Sequence, residues 1–348
     1  MNQGNRCRGM LAHSVLLFAP ESQEIVGLIE QSRWTRDITT RGKRAKHAST
    51  PYTEKEGYKW ESASINMSAR LGAKIDDVIS VCDREADIYE YLLYKLTTQQ
   101  RFIVRSMQSR HIEEGENKLY HYASQLKSAG HKQIHIPQKG GRKARNVTLD
   151  IVFAPVTLKV PSNKRGESLP LYYVGCVERG NSKEALCWHL LTNEPITNQA
   201  QAQKIIGYYE HRWLVEEYHK AWKSDGTNIE ASRLQSKENV ERLVTINAFI
   251  AVRILQLKFA KDRPDDSSCE EVLSPKAWKL LWLKRVSKTP PDSAPSMKWA
   301  YTELAKLGGW KDTKRTGRAS VKVIWQGWFK LQTILEGYEL ALSLDIDL

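Results

Sequence analysis

The sequence predicts an α/β protein with a mainly β segment in its middle and a helical C-terminal part. Residues 77–83 form an apolar run that ends in Asp83, and a helical pattern over residues 86–96 follows. Residues 106–184 contain short β-rich pieces that Gly, Lys and polar residues interrupt. The last segment repeats apolar residues at intervals of three and four, which is typical of helix.

The chain opens with a predicted β-hairpin. Two apolar runs, residues 13–19 and residues 25–30, flank the turn-forming residues 20–23. A polar and basic loop follows to about residue 53, and we predict a helical stretch from there to Leu71.

A strand that ends in an acid is the clearest site signal in the first third of the chain. Strands at residues 77–83 and 101–105 enclose the helix between them, and α/β proteins place acidic groups at the carboxyl ends of such strands. We therefore choose Asp83 as the site candidate. We expect Asp87 to face solvent in the first turn of the helix.

The β-rich segment is interpreted as an insertion between two halves of the α/β unit. Its predicted strands are residues 133–136, 147–153 and 171–177. A core strand returns at residues 186–191, and the next motif follows after residues 199–206.

The C-terminal part contains two long predicted helices. Residues 238–259 are apolar on nearly all sides, which predicts a buried helix. The second helix has an apolar stripe of the heptad type, formed by Val321, Ile324, Trp328, Leu331, Leu335, Tyr338 and Leu342. From the pattern alone, this stripe fits packing within its own domain as well as it fits a dimer contact.

The net charge of +13 favours a polyanionic partner. Basic residues cluster at residues 41–47, 139–145 and 311–318. A single cluster of this kind is usually a solvated loop, but three clusters together with the net charge favour nucleic acid.

Other features indicate a cytoplasmic protein without a membrane span. The uninterrupted apolar runs are far too short to cross a bilayer, and residues 1–6 lack the apolar core of a secretory signal. The five cysteines are scattered without a C-x-x-C pair, which argues against a zinc site and a disulfide framework.

Residues 208–223 contain no Gly or Pro and are predicted to form one helix. On such a helix, a carboxylate shares one face with an arginine and two lysines, a set that can hold a divalent metal and grip phosphate oxygens. The alternative is an exposed helix with Glu–Lys pairs four residues apart. The residues of this face are Tyr209, Arg212, Glu216, Lys220 and Lys223.

The order and spacing Tyr209-x2-Arg212-x3-Glu216-x6-Lys223 resembles the YREK signature of the cut-and-paste transposases of the insertion-sequence-four family. Residues 81–88 resemble the segment with that family's second catalytic aspartate. Similarity continues through residues 188–195 and 325–328, so the resemblance covers nearly the whole chain.

The resemblance implies a ribonuclease-H-like catalytic fold with a mainly β insertion and an α-helical C-terminal dimerisation domain. Its expected parts are a first core segment (1–105), the insertion (106–185), a second core segment with the YREK helix (186–252) and the dimerisation domain (253–348). It favours the dimer contact for the C-terminal heptads, and double-stranded DNA at transposon ends as the partner. A bacterial, nucleoid-associated protein is expected.

The family cleaves phosphodiester bonds with two Mg²⁺ (or Mn²⁺) ions held by two aspartates and a glutamate. Asp83 matches the second aspartate and Glu216 the glutamate, so both are the expected catalytic and metal-binding residues. The family's first aspartate lies upstream of the segment that is residues 8–14 here, and Asp37 lies too late to replace it. We therefore expect two thirds of the triad, no N-terminal DNA-recognition domain and a chain that is inactive alone.

The resemblance also implies DNA contacts. Trp188 matches a tryptophan that receives a flipped base, although a core tryptophan on a buried strand is an equal alternative. The other expected contacts are Arg105, Tyr209, Arg212, Lys220 and Lys223.

The sequence suggests three functions. The first is a DNA transposase with a two-metal mechanism, present as a partial chain. The second is a catalytically inactive remnant that binds DNA or dimerises with a full-length relative. The third, an unrelated nucleic-acid-binding module, is disfavoured because four separate segments match.

Overall fold

The computed structural model describes residues 10–36, 50–115, 118–136, 138, 143–178, 185–234, 236–262, 267–313 and 316–344. Helix (49%) and strand (24%) are mixed, which confirms the α/β class and is consistent with a ribonuclease-H-like fold. The chain divides into two compact units. The first comprises Met1–His13 and Ser32–Arg212, and the second Ser14–Gln31 and Trp213–Leu348. The expected domain boundaries at residues 105, 185 and 252 stay predictions.

The predicted hairpin is confirmed. Strands β1 (Met10–Ala19) and β2 (Glu24–Thr35) form a two-stranded sheet, and both are longer than predicted. Gln23 closes the turn with a positive φ of 53°, and its side-chain amide donates to the Pro20 carbonyl at 2.6 Å. The turn is therefore held by a local hydrogen bond from a residue in the left-handed region.

The first unit contains a six-stranded sheet with the spatial order β3-β4-β8-β7-β6-β5. Strands β3 and β4 are parallel, and all other neighbours in this sheet are antiparallel. The strands of the predicted insertion thus belong to the same sheet as the core strands. The six strands are β3 (Ile79–Cys82), β4 (Arg101–Arg105), β5 (Gly130–Ile136), β6 (Arg145–Leu158), β7 (Leu169–Glu178) and β8 (Cys187–Thr192).

Strand β8 joins the parallel pair to the antiparallel part of the sheet, and the residues at its end hold β4. The Thr192 hydroxyl donates to the Phe102 carbonyl at 2.6 Å, and the Phe102 amide donates to the Asn193 side chain at 3.0 Å. Glu194 forms two hydrogen bonds with the Arg101 guanidinium, at 2.7 and 2.6 Å. Such paired charge-assisted bonds are stronger than neutral ones, so this segment fixes where β4 begins.

Four helices accompany this sheet. They are α1 (Lys59–Leu71), α2 (Tyr89–Thr97), α3 (Leu119–Gln125) and α4 (Gln199–Glu210). Helix α2 begins three residues later than predicted, because Arg84–Ala86 forms a 3₁₀ turn capped by the Asp83 side chain. Helix α3 lies inside the segment that was predicted to be mainly β.

Both faces of the sheet are buried. On one face Phe102 and Val104 pack with Tyr89 and Leu92 of α2. On the other face Ile103 and Leu190 pack with side chains of α4, among them Ile206. Neighbouring residues of a strand point to opposite faces, so the three central residues of β4 are all apolar and fill both layers.

The prediction that Asp87 faces solvent is wrong. Asp87 is only 7% exposed, and its carboxylate accepts from the Met107 amide and the Arg110 Nε, both at 2.7 Å. A buried aspartate needs such partners, because burying an ionised carboxylate costs free energy that only hydrogen bonds and opposite charges can offset. Asp87 therefore anchors the chain after β4 rather than forming a solvent-facing first turn.

The second unit is mainly helical. Its helices are α5 (Leu214–Lys223), α6 (Lys237–Phe259), α7 (Pro275–Val286), α8 (Met297–Leu307) and α9 (Val321–Ser343). Helices α7, α8 and α9 each begin after a serine whose hydroxyl accepts an amide of the first turn. The serines Ser274, Ser296 and Ser320 thus mark three helix starts in the sequence.

Helix α6 is only partly buried, which corrects the prediction of a helix buried on all sides. Val244 and Leu255 are in the core, whereas Ile246 (58%) and Phe249 (70%) are exposed. Within the described chain, Glu238–Asp262 is long and apolar enough to cross a membrane by composition, but 56% of its window is buried in the protein. We interpret it as a core helix, because core helices of globular proteins can have the same length and apolar composition.

The apolar stripe of α9 is buried at its start and exposed at its end. Val321, Ile324 and Leu331 are buried, while Leu342 is 51% exposed. Helix α9 packs on α8 so closely that a Cβ at Gly327 would lie 1.9 Å from the Leu304 carbonyl oxygen. Packing within the unit therefore accounts for the first half of the stripe.

We expect Gly327→Ala to lower the free energy of unfolding by about 1–3 kcal/mol, because the added methyl group forces the two helices apart. Gly337→Ala on the same helix is the matched control, since a Cβ there meets nothing within 4 Å. The control should gain up to ~1 kcal/mol from helix propensity. Urea unfolding of both variants measures the difference, and equal effects would contradict the close packing.

Candidate functional site

The segment predicted as one helix over residues 208–223 is interrupted. Helix α4 ends at Glu210, His211–Trp213 form a 3₁₀ turn, and α5 begins at Leu214. A 3₁₀ turn has a different hydrogen-bond pattern from an α-helix. The prediction of one uninterrupted helix over residues 208–223 is therefore wrong.

The five residues of the motif are divided between the two units. Tyr209 and Arg212 belong to the first unit, and Glu216, Lys220 and Lys223 belong to the second. The side chain of Tyr209 is 5% exposed and lies in the core beneath the sheet.

Helix α5 buries one side and exposes the other. Tyr218 and Trp222 are buried, and the Trp222 indole donates to the Val244 carbonyl of α6 at 3.3 Å. Glu216 and Lys220, four residues apart, are exposed on the other side. The burial of the aromatic side thus determines that Glu216 faces solvent.

Lys220 has a partner that the sequence did not indicate. Its Nζ donates to Glu217 Oε1 at 2.6 Å, and Lys258 of α6 binds Oε2 of the same carboxylate. Glu217 is 8% exposed. Burial opposes its ionisation, but the two lysines outweigh this effect and lower the pKa of Glu217 below its usual value.

Asp83 lies directly after β3, at the carboxyl end of the parallel pair, as predicted. Its Oδ1 accepts the Glu85 amide at 2.9 Å. Glu85 in turn forms an ion pair with Lys59 at 2.6 Å. Asp77 lies in a 3₁₀ turn at the opposite end of β3, and Asp37 lies outside the described residues.

Arg105, Trp188 and Tyr209 lie on one side of the sheet. Arg105 pairs with Leu190 across β4 and β8, and Trp188 is two residues from Leu190, so these side chains share a face. Trp188 is half-buried and contacts the Tyr209 ring edge-to-face at a centroid distance of 5.5 Å. The structure therefore brings together three of the residues predicted to contact DNA.

The opposite face of β8 contains a histidine to which the sequence assigned no role. His189 Nδ1 is 2.7 Å from the Tyr173 hydroxyl, and Nε2 is 2.9 Å from the Cys187 sulfur. The Tyr120 ring stacks on it at 3.8 Å. Burial lowers the pKa of His189 to about 4, and the positive charges of Arg105 and Arg84 add to this effect. Cys187 and His189 share a face because they are two residues apart on a strand.

The basic clusters are only partly described. Residues 41–47, 139–142 and 314–315 lie outside the described part of the chain. Of the remaining cluster residues, Arg145 forms an ion pair with Glu178, and Arg318 with Asp262. These two arginines therefore neutralise carboxylates of the protein itself.

A family model described as "Transposase DDE domain" matches residues 23–253. The matched region includes Asp83, Trp188 and Glu216, and it covers more than half of the chain.

We expect the His189 imidazole to be neutral in the folded protein down to about pH 5, because its pKa is about 4 instead of 6.5. A depressed pKa contributes stability above pH ~6.5 that is lost as the pH falls toward 4. Nitrogen NMR of the imidazole measures the protonation. His189→Gln, which cannot titrate, should flatten the loss of stability in this range, and a His189 signal that titrates near pH 6.5 would contradict the assignment.

Proposed function

The chain belongs to the transposase DDE domain family, and from this premise we propose that it is a DNA transposase of the insertion-sequence-four type. The family implies DNA transposition, a DNA substrate and divalent metal ions, and its members are typically soluble and cytoplasmic. The spacing of Tyr209, Arg212, Glu216 and Lys223 supports the narrower assignment. The observation that carries the transposase function, without the narrower type, is the family match across residues 23–253.

We propose Asp83 and Glu216 as two of the catalytic carboxylates. Asp83 is supported by its position at the carboxyl end of β3, where α/β folds present acidic groups. Glu216 is supported by its exposure on α5, opposite the buried aromatic side. Carboxylate oxygens of this kind suit Mg²⁺ or Mn²⁺.

The described residues do not by themselves build a metal site. Among them, no group of three or more His, Cys, Asp or Glu side chains is placed to hold an ion. Asp83 and Glu216 also belong to different units. Metal binding is therefore tested in the presence of DNA, because Mg²⁺ is commonly held by one or two carboxylates together with substrate phosphates.

The proposed DNA contacts are of two kinds. Trp188 would stack on a base, supported by its partial exposure and by the buried Tyr209 ring beneath it. Lys220 and Lys223 would contact phosphates, supported by their position on α5 beside Glu216. Arg105 and Arg212 complete the proposed set.

We further propose that the second half of α9 forms a contact between two copies of the chain. Two large apolar residues there, and a third directly after the helix, are more than half exposed, although the stripe is buried in the first half of the same helix. Exposed apolar patches of this kind commonly mark protein interfaces. The residues are Leu340, Leu342 and, after the helix, Leu344.

We expect Asp83→Asn and Glu216→Gln each to weaken Mn²⁺ binding to the protein–DNA complex by at least about tenfold, because even the partners of metal ligands contribute that much. Electron paramagnetic resonance of free Mn²⁺ measures the affinity. Asp77→Asn is the matched control, since it removes an exposed acid at the other end of β3. Equal losses in all three variants, or none, would refute the assignment of the two acids.

We expect duplex DNA binding to weaken as salt rises, because each phosphate contact releases counterions. Replacing Arg212, Lys220 and Lys223 by alanine should reduce the slope of log K against log salt by roughly 2–3. The control replaces Lys279, Lys284 and Lys288, which are exposed elsewhere in the second unit and change the net charge equally. An unchanged slope in the first variant would show that these residues do not contact phosphates.

A further inference from the structure

The carboxylate of Glu217 is shared by two lysines that differ in exposure. Lys220 Nζ lies 2.6 Å from Oε1, and Lys258 Nζ binds Oε2. The side chain of Lys258 is 12% exposed and that of Glu217 is 11% exposed, whereas the Lys220 side chain is 55% exposed. The three charges sum to +1, and the excess lies on the exposed lysine.

The two ion pairs therefore differ in how easily they break. Separating Lys258 from Glu217 would leave the buried Lys258 ammonium without compensation, which is strongly unfavourable. Separating Lys220 from Glu217 returns an exposed lysine to water and leaves a neutral pair behind. Pairs three residues apart on a helix that include an exposed side chain contribute little to stability.

The Lys220 ammonium group can also reach a ligand on the exposed side of α5. It lies four residues after Glu216 on the exposed side of α5, and lysine carries its charge on a flexible four-carbon stem. Its contact with Glu217, three residues earlier, draws the stem back along the helix. A phosphate at the exposed side of α5 would therefore compete with Glu217 for the same ammonium group.

We propose that Glu217 binds Lys220 in the free protein. When the protein binds DNA, Lys220 leaves this carboxylate and binds a DNA phosphate instead. Lys258 remains with Glu217 and keeps its buried charge compensated during the exchange. Glu217 and Lys258 are thus positioning residues that lower the affinity of α5 for DNA, and Lys220 is the residue that moves. This inference rests on the proposed DNA-binding function of α5.

The test measures the affinity of the full chain for a labelled duplex at several salt concentrations. Glu217→Gln releases Lys220 but leaves Lys258 buried without a partner, so it can fail to fold. The second variant, Glu217→Gln with Lys258→Met, removes both buried charges and replaces them by neutral side chains of similar size. We expect this double variant to bind DNA about two- to fivefold more tightly than the wild type, the range equivalent to one exposed ion pair.

The gain must depend on Lys220. Adding Lys220→Met to the double variant should abolish it, and Lys220→Met alone should reduce the salt slope by about one phosphate contact. Glu303 provides the matched control, since it also binds a lysine three residues away and an arginine from another helix, with its side chain 13% exposed. Glu303→Gln with Arg285→Met, which leaves the net charge unchanged as the double variant does, should leave the affinity unchanged.

The outcomes separate this inference from the function on which it rests. If the wild type shows no salt-dependent binding, the proposed function is overturned. If the wild type binds but the double variant gains no more affinity than Glu303→Gln with Arg285→Met, the exchange is overturned. A gain that persists without Lys220, or a salt slope unchanged by Lys220→Met, overturns it as well.

Discussion

The first unit depends on the pairing of β8 with β4. This pairing connects the parallel strands β3 and β4 to the antiparallel strands β5–β7 in one sheet. The last residue of β8 and the two residues after it strengthen the pairing, because Thr192, Asn193 and Glu194 all bind the first two residues of β4. The same strand presents Trp188 on one face and His189 on the other. A candidate base-stacking residue is therefore positioned by a strand that is central to the sheet.

The second unit applies a different constraint to the proposed site. Helix α5 packs its aromatic side against α6, and a buried carboxylate links the two helices through Lys258. Together these contacts set the rotation of α5 and hence the exposure of Glu216. They also occupy Lys220, which the spacing of the motif alone assigns to DNA. A residue that matches the motif can thus have a partner in the free protein other than the one that the motif implies.

The differences between the predicted and observed elements have physical causes. An acid in the first turn of a helix is usually exposed, so the sequence predicts that Asp87 faces solvent. In the structure, its buried carboxylate binds Arg110 and the Met107 amide, which lie later in the chain. The break at His211–Trp213 was missed because none of these residues is Gly or Pro, the usual signals of interruption. Helix α6 was expected to be buried because its composition is apolar, and composition does not show which side other helices cover.

The sequence by itself determined the α/β class, the hairpin, most strands and the family, since these follow from local periodicity and from motifs of fixed spacing. It placed Asp83 at the end of its strand and Glu216 in a helix, because both positions depend on neighbours in the chain. Only the tertiary structure decided the partners: the arginine of Asp87, the two lysines of Glu217, the tyrosines around His189 and the carbonyl beside Gly327. These contacts join residues from different elements, and no local pattern encodes which elements pack together.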